Sequence, residues 1–471
     1  MSAYQQRPTR NTEDRPKIDT IKEKIESSHR YFKKNQERYH FFMKFVFMTS
    51  ISDDDATKLS MLNKPTIEFN ILESMISRLR GEFLKQEPSI QLRAADGIRI
   101  DQLTPEFMAT MKIIEDHFRE IFFDASNDAL EYDVYSDLLG GGYSVVQVFT
   151  DYVNEQSFEQ NIRVERVFDP TLTGFDPLAR ESHKGDGSYC FHLIPKSREE
   201  FEAEFGKENT DNMKFVRSST MEGFNWSYYN QNQEIVMVAE YFEKVKTRTQ
   251  IALLSNGHTI KASHYNKLVE LWNSQGLIEQ APIIVKKRWT NIEKIHRYVI
   301  CENSILSHNE TNFKFLPLIF IDGNSVVIRQ SENGASMQMT RPFVYHAKGV
   351  QQLKNFAGQT IGNEIENMVL HKFKVSAEAI PDDYMDAYKN VQQASTLVYN
   401  AFYKDNPEIK LDPPMEIQRT ATPPIVESTF AGTDRTTQII LGTYDSTLAT
   451  NDKQISGVAI QQGALQSNAA A

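Results

Sequence analysis

The chain has 471 residues, 40% of them hydrophobic, which is enough for two or three domains with real cores. Its 63 Asp and Glu outnumber 52 Lys and Arg for a net charge of -11, which argues against a surface that grips duplex nucleic acid by neutralising many phosphates. With only Cys190 and Cys301, a disulfide framework and a four-cysteine zinc site are excluded unless another chain adds ligands. Both cysteines read as buried thiols.

Residues 1–16 are polar, with three Arg and no apolar core, so they fit a flexible N-terminal arm and neither a secretory signal nor a membrane anchor. The apolar run Phe41–Phe47 is too short for a membrane span and is interrupted by Lys44. From Ile18 to Met48, Ile18, Ile21, Ile25 and Phe32 recur near helical spacing among Lys and Glu, predicting an amphipathic helix. A second helix is expected from Asn70 to Lys85, with Ile71, Met75, Leu79 and Phe83 four apart and Pro88 ending the pattern. A third spans Thr104 to Ser136.

After Gly140–Gly142 the period changes. Alternation in Tyr143–Phe149 and Ile162–Phe168 predicts half-buried strands, and Asp169-Pro and Asp176-Pro punctuate the loop that follows. Ser197 with Glu200 forms a capping box opening a helix to Phe205. Strands are expected at Ile235–Phe242, Ile283–Arg288, Arg297–Cys301 and Leu316–Ile321, with a helix at Ala262–Ser274 among them. These mixed elements up to about Met339 read as one large α+β domain.

Past Arg341-Pro, Val350, Leu353, Ala357, Ile361, Ile365 and Val369 make a helical stripe. Gly349, Gly358 and Gly362 weaken that helix but permit close approach of a neighbour. A strand at Phe373–Ile380, a helix at Pro381–Gln393 and a strand at Thr396–Phe402 follow, closed by Pro413-Pro and Pro423-Pro. A second long helix begins near Ile425 and runs to Tyr444. The polar segment to Gly457 comes next, and Ile455 to Ser467 can start another helix.

Motifs for catalysis are absent or explained more simply. Gly140–Gly142 precedes a strand, whereas a phosphate cradle needs a glycine loop that opens a helix. His183 and His192 flanking Cys190 lack zinc-ligand spacing. Asp169, Asp176 and Asp186 form a conceivable two-metal carboxylate set, but Asp-Pro turns account for the first two. No Gly-x-Ser-x-Gly elbow is present, and Cys190 carries no catalytic-thiol signature. Lys286-Lys-Arg288, with Lys294 and Arg297, reads as a solvated strand edge before a nucleic-acid contact. No cofactor is expected, and the chain is not expected to be an enzyme.

Several segments, taken in order, resemble one family. These are Pro65–Asn70, Leu79-Arg-Gly81, Gln86–Ile90, the Gly140–Gly142 turn into a Val-rich strand, Val167–Pro170, Phe175–Pro177 and Ser197–Phe201. Followed by helix, small module, helix and a polar loop ending Ile455–Ala459, they resemble the portal, or head-to-tail connector, of tailed bacteriophages, most closely the short-tailed-phage type.

The resemblance implies a portal fold with a mixed α/β wing (17–340), a first stem helix (341–372), a small α/β clip (373–424) and a second stem helix (425–444). A tunnel loop (445–457) and the start of a C-terminal wing helix (458–471) follow. Portals of this type continue into a long wing helix and a crown, so the resemblance implies either a truncated product or a short portal without a crown. It further implies a ring-forming homo-oligomer, a dodecamer, at a unique capsid vertex of the virion, assembled in the host cytoplasm. Its partners would be the large terminase, a tail adaptor, capsid and scaffolding protein, and double-stranded DNA passing through the channel, with no membrane.

Lys372, Lys374, Asn451 and Lys453 are the candidate channel contacts to DNA. Ser446, Thr447, Thr450 and Asp452 belong to the tunnel loop, and Asp382, Asp383, Tyr384 and Lys389 are candidates for terminase or adaptor docking. The rival readings are another virion structural protein, such as a tail adaptor or baseplate component, and a metal-dependent nuclease acting through Asp169, Asp176 and Asp186.

Overall fold

The computed structural model describes residues 15–85, 91–92, 104–127, 129–154, 156–210, 213–217, 225–255, 257–274, 282–329, 336–369, 373–376, 378–391, 393–417 and 423–442. Its helices and sheets make an α+β protein with two compact units, one of residues 1–42 and 82–342 and the other of 43–81 and 343–471. The expected N-terminal arm lies outside the described residues up to residue 14.

Helix α1 (Arg15–Phe47) forms where the sequence predicts it, with Ile18, Ile21, Ile25 and Phe32 buried. Nothing in the apolar spacing predicts α2 (Asp53–Met61), which buries no residue. It is set by its start instead: the Ser52 side chain accepts from the Asp55 amide, and Asp53, Asp54 and Asp55 complement the helix dipole. Helix α3 (Ile71–Phe83) lies within its expected span but buries Leu72, Ile76 and Leu79, one position round from the predicted line of Ile71, Met75 and Phe83. Asn70 caps it, accepting from the Glu73 amide at 3.1 Å.

The single helix expected from Thr104 to Ser136 is two, α4 (Pro105–Asn127) and α5 (Leu130–Gly140), because Ala129 stands in the left-handed region at φ 58° and ends the helical hydrogen bonding. Gly142, at φ +95°, then turns the chain into β1 (Tyr143–Tyr152); a Cβ there would press on the Arg341 carbonyl carbon at 2.7 Å. Strand β2 (Gln160–Arg166) pairs antiparallel with β1.

Next come β3 (Thr173–Phe175), β4 (Tyr189–Ser197) and α6 (Arg198–Phe205), whose capping box between Ser197 and Glu200 forms as predicted. Strands β5 (Val216–Arg217) and β6 (Ser227–Asn230) lead to β7 (Gln233–Leu254), and β8 (Thr259–Lys261) is followed by α7 (Ala262–Ser274), with the predicted limits. Strand β9 (Ile284–Ile300) is continuous where two strands were expected. Its polar middle stays extended because every residue from Lys286 to Ile300 has a partner on β7, so cross-strand hydrogen bonds replace apolar alternation as the organising force. Strands β10 (Ile305–Glu310) and β11 (Leu318–Asp322) follow, then the hairpin β12 (Ser325–Arg329) and β13 (Ser336–Thr340).

In the first unit one sheet runs β11-β1-β2 and a larger one has the path β10-β9-β7-β4-β3. Alternate residues of the larger sheet fill two cores. On one face Phe191, Leu193, Tyr241, Tyr298 and Ile300 meet Ile21 and Ile25 of α1; on the other Val236, Val238, Val299 and Cys301 meet Phe201 of α6.

Buried Asp137, at the end of α5, binds three elements together. Its carboxylate accepts from Tyr39 of α1 at 2.8 Å, from Ser144 of β1 at 2.7 Å, and from the Arg166 guanidinium of β2 at 2.6 and 2.8 Å. The forked pairing and extra donors satisfy a charge that is otherwise costly to bury.

The second unit gathers α2, α3, α8 (Lys348–Val369), β14 (Phe373–Lys374), α9 (Met385–Lys389), β15 (Met415–Glu416) and α10 (Pro424–Leu441). The module between α8 and α10 is less regular than predicted. Only Phe373 and Lys374 of the expected strand pair, with Glu416 and Met415; the expected helix is a 3₁₀ turn at Asp382–Tyr384 and the short α9; and Thr396–Phe402 forms a single bridge, Phe402 to Lys410. Ala379 is its one buried hydrophobic residue among those described, too little burial to impose longer elements.

Candidate functional site

The sequence points to the helix, small module and helix of the second unit, where the most unusual side-chain arrangement also lies. Along α8, Gln351, Asn355 and Gln359 stand four residues apart and face the extended segment Pro65–Ile71. The Ile67 amide donates to Gln359 Oε1 at 3.0 Å, the Phe69 amide to Asn355 Oδ1 at 3.1 Å and the Ile71 amide to Gln351 Oε1 at 3.2 Å. In return Gln351 Nε2 donates to the Phe69 carbonyl at 2.6 Å and Gln359 Nε2 to the Pro65 carbonyl at 3.0 Å. The match is geometric: four helical residues rise ~6 Å, and two extended residues advance ~6.6 Å.

Close approach is possible because α8 has no side chain at two points. A Cβ on Gly358 would meet the Phe69 ring, and one on Gly362 would meet Ile67. Gly349 faces open space, so it has no such role. The small residues thus admit an extended segment as well as a helix, since Gly358 also lies near Phe430 of α10.

On the side of α8 that meets α10, Lys354 is buried, paired with Asp434 and seated 4.4 Å from the Phe430 ring centre. The Phe69 and Phe430 rings meet edge to face at 4.9 Å. Buried Thr433 and Thr437 of α10 return their hydroxyls to the Phe430 and Thr433 carbonyls, at 2.7 and 2.9 Å.

The result departs in part from the predicted burial of α8. Ala357 is buried and Val350 and Ile361 half-buried, but Leu353 and Ile365 are exposed and Phe356 is 71% exposed, whereas Gln351 is wholly buried. The Val369 side chain lies outside the described residues. Ile425, Ile439 and Ile440 add exposed apolar surface on α10. The four-residue spacing of Gln351, Asn355 and Gln359 was the available signal for the polar face, and the apolar stripe concealed it.

Of the channel candidates, Lys374 is exposed on β14, while Lys372, Asn451 and Lys453 lie outside the described residues, as do Ser446, Thr447, Thr450 and Asp452. Asp382, Asp383 and Tyr384 sit exposed on one 3₁₀ turn, and Lys389 at the end of α9 pairs with Asp386 at 2.9 Å. The Phe373 ring meets Tyr388 of α9 edge to face at 5.6 Å, joining the strand of Lys374 to this turn.

The three candidate metal aspartates are all engaged by backbone amides, Asp169 in its own turn and Asp176 and Asp186 within one loop. Asp169 accepts from the Thr171 amide at 2.9 Å, Asp176 from the Leu178 and Ser188 amides at 3.0 and 2.9 Å, and Asp186 from the Arg180 and Glu181 amides at 2.8 and 3.2 Å. Exposed His183 pairs with Glu181 at 3.0 Å, and burial pushes the Cys190 thiol up, keeping it protonated. Burial lowers His192 to about 4, so it is held neutral, and its Nδ1 has no hydrogen-bond partner among the described residues. Among the described residues no group of three His, Cys, Asp or Glu can hold a metal. Lys286, Lys287 and Arg288 are exposed on the part of β9 that pairs with β7 but not with β10, an edge as predicted, while Lys294 and Arg297 pair with Glu310 and Glu240.

No described helix is long and apolar enough to cross a membrane. The sequence model of the Phage P22-like portal protein family matches residues 22–471. The chain is also similar to the portal protein of Acyrthosiphon pisum secondary endosymbiont phage 1, with 23% identity over 233 residues, which is 48% of this chain and 31% of that protein. The match thus spans about a third of that relative's length.

Proposed function

The chain belongs to the Phage P22-like portal protein family, and on that premise we propose that it is a structural subunit of a closed ring, a dodecamer, at one capsid vertex. Double-stranded DNA passes through this ring during packaging and ejection. In this reading residues 17–340 form the wing, 341–372 and 425–444 the two stem helices, 373–424 the clip and 445–457 the tunnel loop. A separate terminase and later a tail adaptor dock on the clip around Asp382, Asp383, Tyr384 and Lys389, and capsid and scaffolding proteins meet the wing.

The observation that carries the ring is the exposed apolar pair Leu353 and Phe356, neighbours three residues apart on a helix whose polar face is covered within its own chain. A patch of this kind is stabilised when an identical neighbour buries it. Net charge of -11 suits a conduit that does not adhere to DNA, with Lys372, Lys374, Asn451 and Lys453 making weak, sequence-independent contacts. The turn-bound aspartates give the nuclease reading no support.

Electron microscopy of the purified full chain tests the reading: rings with a central hole about the width of a duplex are expected, and a strictly monomeric protein at high concentration overturns it. Replacing Lys372 and Lys374 together by Glu should reduce DNA packaging or retention while rings still form; undiminished packaging removes the channel-lysine assignment.

A further inference from the structure

We infer that the wing of one copy docks on the next through two different surfaces, the bare face of α4 on one and the basic edge of β9 on the other. The inference rests on the ring reading and deepens it.

The sequence of α4 carries one apolar stripe. Phe107, Met111, Ile114, Phe118 and Phe122 follow one another at three- and four-residue steps and share a face with Ile121 and Ala125. At the C-terminal end that face is used: Ile121 and Ala125 are buried, and Ala125 packs with Leu130 and Val146. Towards the N-terminus the same stripe continues uncovered, with Phe107, Ile114, Phe118 and Phe122 all exposed. A helix this apolar on a solvated face is an unfilled contact.

Charge selects the occupant. Helix α4 carries five carboxylates against Lys112 and Arg119, and Arg119 is already tied to Glu115 at 2.6 Å and Asp116 at 3.1 Å. The surface around the stripe is therefore acidic. The complementary surface lies on the same unit of the chain: exposed Lys287 shares a face of β9 with exposed Val285 and Trp289, exposed Lys286 and Arg288 stand between them on the other face, and Arg248 of β7 stacks on Trp289 at 5.3 Å. Both surfaces are apolar and they are opposite in charge, so a second copy of this chain fits. Because the two patches differ, the contact is head to tail and repeats from copy to copy, the arrangement that closes into a ring.

Mixed-disulfide formation tests the pairing. Full chains carrying Ile114→Cys and full chains carrying Val285→Cys are mixed, assembled and oxidised; the native Cys190 and Cys301 are buried. A cross-linked dimer is expected in the mixture and in neither variant alone. A dimer from Ile114→Cys alone means helix meets helix and overturns the pairing. Rings seen by electron microscopy without the mixed cross-link overturn it too, and leave the ring reading standing. If the unsubstituted chain never assembles, the ring reading fails and takes this inference with it.

Charge reversal gives an independent readout in chains whose fold is checked by circular dichroism. Changing Lys286, Lys287 and Arg288 to Glu should raise the concentration needed for assembly at least tenfold, and adding Glu106→Lys and Glu120→Lys should lower it again. An unchanged threshold in the first variant, or no recovery in the second, rejects the charge pairing and points to a different occupant of α4.

Discussion

Gln359 of α8 grips the backbone around Ile67 from both sides, accepting from the Ile67 amide at 3.0 Å while donating to the Pro65 carbonyl at 3.0 Å. With Asn355 and Gln351 it lets a helix substitute for a β-strand, so a segment with no sheet partner there still satisfies its main chain.

Loss of this ladder should be felt most at its buried end. Gln351→Leu removes the side-chain partner of the Ile71 amide and the Phe69 carbonyl, leaving them only their mutual bond at 3.1 Å, and should cost about 2 kcal/mol, whereas Gln359→Leu, nearer solvent, should cost about 1 kcal/mol. Thermal melting ranks the two variants. Limited proteolysis should show cleavage within 63–70 appearing first in Gln351→Leu.

Asp137 is expected to be the most sensitive single polar residue of the first unit. Asp137→Ala strands the partly buried Arg166 guanidinium and the Tyr39 hydroxyl and should destabilise by about 3–5 kcal/mol. Differential scanning calorimetry checks it, and Ser144→Ala, which removes one of several donors, should cost only about 1 kcal/mol.

Acid should weaken the fold through His192. Burial lowers its folded-state value to about 4 from the usual 6.5, so between those values the unfolded chain binds a proton that the native chain does not. Stability from this group is therefore complete above pH 6.5 and is lost as the pH falls towards 4, by on the order of 2 kcal/mol for a side chain that keeps some solvent contact. Denaturation midpoints measured against pH should fall less steeply in His192→Gln over that window.

The exposed apolar residues of α8 should separate assembly from folding. Phe356→Glu replaces an exposed ring, so the melting behaviour of the unassembled chain should change by less than about 0.5 kcal/mol. Native mass spectrometry should show the same variant failing to form higher oligomers.

Legibility in the sequence followed how local the determining interaction is. The capping box of Ser197 and Glu200, the limits of α7 and the turn chemistry of Asp169 and Asp176 depend on residues a few positions apart, and all are found as read. The continuity of β9 depends on β7, whose pairing keeps a polar stretch extended that would otherwise pass for a loop. The α8 stripe shows the other limit. Apolar period identifies a face that something covers, but Gln351, Lys354 and Asn355 are covered by their own subunit instead, because backbone amides and Asp434 offer partners that Leu353 and Phe356 do not need. The module between the long helices is less regular than its short alternations predict, because Ala379, its one buried hydrophobic among the described residues, provides too little core to hold longer elements.

Outward-facing Leu353, Phe356 and Ile365 also set a condition on the life of the newly made chain. Until something covers them it offers greasy patches to every other protein in a crowded cell, so its yield depends on how quickly a partner arrives relative to clumping and chaperone capture. Expression level and temperature then matter as much as intrinsic stability, and a slow, cool synthesis favours recovery of the folded chain over an insoluble deposit.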